Sequence, residues 1–137
     1  MSPTQEELAR MHWRERWEYE ALQERETMQV LDEKALLDRV QQGHTGSYYQ
    51  IWQVVAQKGT LERSASVLWE FLRSHPGKSA NLDRYHCAGA LFQILGMPDP
   101  NSKGDLRPRV QWDHKGENAR QQALFELEQI ILEKIGP

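Results

Sequence analysis

A single cysteine, Cys87, among 137 residues leaves no intrachain disulfide and no thiolate metal cluster to be built. The opening MSPTQEELAR has neither a basic start nor an apolar run, so it does not read as a signal peptide. No apolar stretch approaches the roughly 18–20 residues of a membrane span. Strand-period alternation of useful length is missing as well. These absences predict an all-α, cytoplasmic protein that makes no membrane contact. No phosphate-cradling glycine loop is present either, because Gly43 and Gly46 lack the Lys-Ser/Thr of a P-loop and follow no strand. Neither a cofactor nor a metal is expected.

What is present suits one folded domain: 39% hydrophobic and 27% charged residues in a chain long enough to enclose a core. The net charge of −3 argues against broad attraction to nucleic acid. The charge is uneven, however. Residues 1–43 hold ten acids against six bases, residues 44–116 six against nine, and residues 117–137 four against two. Only the middle section offers a basic surface.

Apolar residues recur at helical spacing between glycine and proline stops. Ser2 with Pro3 and Gln5, or Thr4 with Glu7, caps a first helix that runs without Gly or Pro to Gly43. The polar run Gln23–Thr27 predicts a bend, with Asp32 as a second cap, and one helix or two remains open. Ser47 and Gln50 form a capping box for a helix over 48–58, ended by Gly59. Thr60 caps the next, in which Leu61, Ala65, Leu68 and Leu72 form one face and Val67 and Phe71 a second. Pro76 and Gly77 stop it.

Asn81 caps LDRYHCAGALFQIL, with Leu82, Tyr85, Ala88, Leu91, Phe92 and Leu95 facing inward. Residues 97–116 read as a long loop, and the last helix aligns Leu124, Leu127, Ile131 and Ile135. The predicted organisation is thus an N-terminal helical arm (1–43), core helices (44–96), a loop and a C-terminal helix (117–137). The architecture is an antiparallel array of four to six helices, either superhelix-like or an irregular bundle.

The stretch Arg84-Tyr85-His86-Cys87-Ala88-Gly89-Ala90-Leu91, and the echo of Tyr49-to-Gly59 in Tyr85-to-Gly96, carry a resemblance. Over residues 45–96 the pattern resembles HEAT or armadillo-type helical repeats. That resemblance implies an α-superhelical, partner-binding fold and transfers no catalytic residue.

Three functional readings follow. Trp13, Trp17 and Tyr19 mark a narrow aromatic stripe on a charged helix. The stripe either folds onto the chain's own core or docks a partner, including a second copy of this protein. Arg107, Arg109, Trp112 and Lys115, with His114, interleave basic and aromatic residues as a polyanion or nucleic-acid site does, against the opposing charge of Asp105 and Asp113. His86 and Cys87 invite a Cys–His enzyme, although neighbours on a helix project about 100° apart. Two metal half-sites, His12-x-x-Glu15 and Asp83-x-x-His86, fall short of a ligand set. The leading expectation is a non-catalytic protein–protein interaction module.

Overall fold

The computed structural model describes residues 4–10, 12–74, 81–97 and 117–136. Seven helices lie among them: α1 (Gln5–Arg10), α2 (Trp13–Gln29), α3 (Glu33–Gln42), α4 (Gln50–Lys58), α5 (Leu61–Ser74), α6 (Asn81–Leu95) and α7 (Glu117–Ile135). No strand occurs among the described residues, and no helix there is long and apolar enough to cross a membrane. The all-α expectation holds. The helix count exceeds four to six because the N-terminal stretch divides into three.

The helices stack in two rows. Helix α2 packs on α4 and α4 on α6; α3 packs on α5 and α5 on α7. Contacts of α3 with α4 and of α5 with α6 join the rows. Each row therefore adds one helix from every successive helical pair. The helices of residues 50–58 and 81–95, which the sequence echo pairs, are neighbours in one row.

Local chemistry explains the N-terminal divisions. Glu7 N–H donates to Thr4 Oγ1 at 3.1 Å, so Thr4 caps α1. A second start follows at once, where Arg14 N–H donates to His12 Nδ1 at 3.2 Å. The polar run at Gln23–Thr27 does not interrupt α2. The helix instead ends at Val30, and Asp32 caps α3 by accepting from Ala35 N–H at 2.9 Å. Gly43, left-handed at φ 79°, closes α3. Leu36, Leu37 and Val40 of α3 join the core, as does Met28 of α2.

Two later caps come from other helices. Helix α4 begins at Gln50, two residues after the expected start, and Ser47 does not cap it. The Glu24 carboxylate of α2 instead accepts from the N–H groups of Ser47 (2.7 Å), Tyr48 (3.0 Å) and Gln50 (3.4 Å). The Tyr48 hydroxyl donates to Glu20, one turn earlier. Tyr49 adopts a left-handed φ of 62° at this corner. Thr60 does not cap α5 by itself. Glu33 of α3 accepts from Thr60 N–H (2.5 Å), from its hydroxyl (2.9 Å) and from the Ser64 hydroxyl (2.7 Å). Lys58 returns the contact, donating to the Gln29 carbonyl and, at 2.8 Å, to that of Leu31. The α2–α3 elbow is thereby fastened to the α4–α5 elbow.

The core includes Leu36, Val40, Ile51, Trp52, Val54, Val55, Ala65, Leu68, Leu72, Leu91, Leu124 and Leu127. Trp52 stacks at a tilt on Phe71, ring centres 4.8 Å apart, and its indole N–H donates to Asp83 at 3.0 Å. Leu82, in the first turn of α6, and Ile135, in the last turn of α7, were expected to face inward and are exposed, and Tyr85 is half-buried. Two arginines, Arg84 and Arg120, are fully buried. Arg120 donates to the Leu72 carbonyl in the last turn of α5, satisfying an acceptor that has no partner within its own helix.

Candidate interaction surface

Helix α2 carries one stripe at spacings of four, four and seven: Trp13, Trp17, Ala21 and Met28. Such spacing places all four on one face. The face is covered over only half its length. Ala21 and Met28 retain 6% and 3% of their surface, whereas Trp13 and Trp17 retain 68% and 45%. The two alternatives for this stripe therefore divide along the helix: its C-terminal half is core, and its N-terminal half runs past the body with the same face open.

The Tyr48 ring meets Trp17 edge-on, with centres 5.6 Å apart. Tyr48 is held by Glu20 and Glu24, so the Trp17 ring rests on a braced corner. Trp13 reaches further out, flanked by the His12 ring at 5.5 Å and the Arg14 guanidinium at 5.6 Å. Tyr19 is half-buried. Trp13 and Trp17 are therefore brought together as one outward aromatic patch, and Tyr19 is less open than either.

His86 and Cys87 project into different surroundings. The Cys87 side chain is fully buried and its Sγ donates to the Leu68 carbonyl at 3.4 Å. Burial, assisted by the Asp83 carboxylate, pushes the thiol well above its usual pKa, so the nucleophilic thiolate is disfavoured. His86 stacks on Tyr49 with centres 4.9 Å apart and the planes 17° from parallel. Beside it, a shallow groove of about 180 Å³ runs between α4 and α6, lined in part by Gln53, Tyr85, Gly89 and Gln93.

No group of three or more metal-ligating side chains occurs among the described residues. His12 Nδ1 is engaged as a helix cap, and Asp83 accepts from Trp52. Arg107, Arg109, Trp112, His114 and Lys115 lie outside the described residues.

Sequence reasoning missed a second open apolar patch, Phe125 and Leu132 on α7, seven residues apart and facing away from buried Leu124, Leu127 and Ile131. Their spacing of seven was the available signal. No protein-family model matches the chain, and neither a curated protein nor a solved structure shows significant similarity to it.

Proposed function

We propose that this protein is a non-catalytic interaction module that docks a protein partner through the Trp13/Trp17 half of α2. The observation that supports this reading is the division of one apolar stripe into a covered half and an open half. Large aromatic side chains supply contact area at low entropic cost and dominate binding surfaces. Holding two of them in water on a braced helix forgoes burial free energy of roughly 25 cal/mol per Å². A partner that covers them recovers it. In this reading the chain is a short superhelix of the kind the HEAT or armadillo resemblance implies, and it works by presenting a shaped surface.

Substitution along the stripe tests the reading. Trp13→Ala is expected to lower unfolding stability by less than about 1 kcal/mol, as surface changes do. Met28→Ala, in the covered half, is expected to cost about 2–5 kcal/mol. Equal large losses at both positions would place Trp13 in the fold's own core and end the proposal.

A further inference from the structure

We infer that the partner is a second copy of this chain, paired through α2 about a two-fold axis; this rests on the surface proposed above. The argument is one of self-complementary spacing. Trp13 and Trp17 are four residues apart, and so are Arg14 and Glu18. Each charged residue follows a tryptophan by one position, so both flank the same side of the open stripe.

Two such helices laid antiparallel, face to face, bring equivalent flanks together. That arrangement opposes Trp13 to the second copy's Trp17, and Arg14 to the second copy's Glu18, each pair occurring twice. An isologous interface has this property by definition: if residue i meets residue j, then j meets i.

The Arg14 guanidinium lies over the Trp13 ring, beside the open face. Arg14 and Glu18 are exposed, and neither takes part in an ion pair among the described residues. Their neighbour Arg16 is instead bonded to Glu20 at 2.9 Å within its own helix. A parallel pairing would set this flank against the partner's opposite flank, so Arg14 and Glu18 would not meet, which favours the antiparallel one.

The area is that of a modest interface. At roughly 150–250 Å² per aromatic side chain, the open fractions of the two indoles amount to about 170–280 Å² per copy. A specific dimer buries at least about 600 Å² per copy. The tryptophans therefore supply about a third to a half, and the remainder falls to Arg14, Glu18 and the exposed side chains of α1.

Charge exchange tests the pairing. Sedimentation velocity across a concentration series is run on wild type, Arg14→Glu, Glu18→Arg and the double exchange, with circular dichroism confirming that each is folded. Wild type is expected to dimerise. Each single change sets like charges together twice and should raise the dissociation constant about tenfold or more; the double exchange should return it to within about threefold of wild type. A wild type that stays monomeric at the highest concentration overturns the inference, as does a double exchange no tighter than the single changes. The surface reading fails separately, if Trp13→Ala lowers the stability of the monomer as a core substitution does.

Discussion

The Glu24 carboxylate occupies the space that a β-carbon on Gly46 would need. Gly46 is also left-handed, at φ 84°. The absence of a side chain thus admits the backbone to close approach, so that one carboxylate collects the N–H groups opening α4. This corner braces Tyr48, and through it the Trp17 ring on which the open patch rests.

Gly46→Ala is therefore expected to destabilise the protein by about 2–4 kcal/mol. The left-handed backbone contributes about 1–2 kcal/mol of that, and weakened hydrogen bonds to Glu24 the rest. Glu24→Ala should cost about 2 kcal/mol by leaving the corner N–H groups to water. Denaturant unfolding of both variants checks this, and the paired substitution should cost less than their sum because both break one corner.

Glu33 gives the fold an acid-sensitive clamp. Burial raises its pKa, but bonds from the Ser64 hydroxyl and from the Thr60 N–H and hydroxyl, together with nearby Arg63, outweigh it and hold the carboxyl below the usual 4.5. A depressed pKa stabilises the folded state above the ordinary value and loses that contribution as pH falls through the folded value. Urea midpoints of wild type and Glu33→Gln should therefore differ near neutrality and converge below about pH 4.5. A gap that widens on acidification would contradict the clamp.

Cys87 should be inert to thiol reagents in the folded protein. Full burial and a raised pKa leave scarcely any accessible thiolate. Labelling by a disulfide reagent at mildly alkaline pH should proceed only as fast as the chain opens, and become immediate in denaturant. Rapid labelling of native protein would reopen the His86/Cys87 enzyme.

Arg120 should prove structural. Arg120→Met removes a buried cation that donates to the Leu72 carbonyl, and is expected to cost about 2–4 kcal/mol. Arg120→Lys should recover only part of this, since an ammonium cannot reproduce the planar fork of donors. A thermal midpoint unchanged in Arg120→Met would refute the role.

Much of the fold could be read in the chain because its signals are local. Asp32 stands three residues before Ala35, and Gly43 ends the periodic run that follows. The alternation of apolar positions in residues 61–74 named both faces of a helix that does meet neighbours on several sides. What escaped was long-range. Glu24 and Glu33 look like ordinary surface acids, and only the folded chain brings them to N–H groups more than 20 positions away. Arg84 and Arg120 carry no mark in sequence that they enter the core.

The open patch was half legible for the same reason. Spacing put Trp13 and Trp17 on one face with Ala21 and Met28, but where cover stops depends on the length of α4 beside α2. Leu82 and Ile135 were misplaced as well, since periodicity gives the direction of a side chain and not whether a neighbour covers it.

Amide hydrogen exchange along α2, followed by mass spectrometry at low protein concentration, tests the central claim most directly. Residues 21–29 should exchange only through near-global unfolding, and residues 13–19 through much cheaper local opening, with protection of 13–19 rising as the surface is covered. Equal, slow exchange in both halves of the isolated protein would mean that the tryptophan face is already buried, and that no surface is held open for a partner.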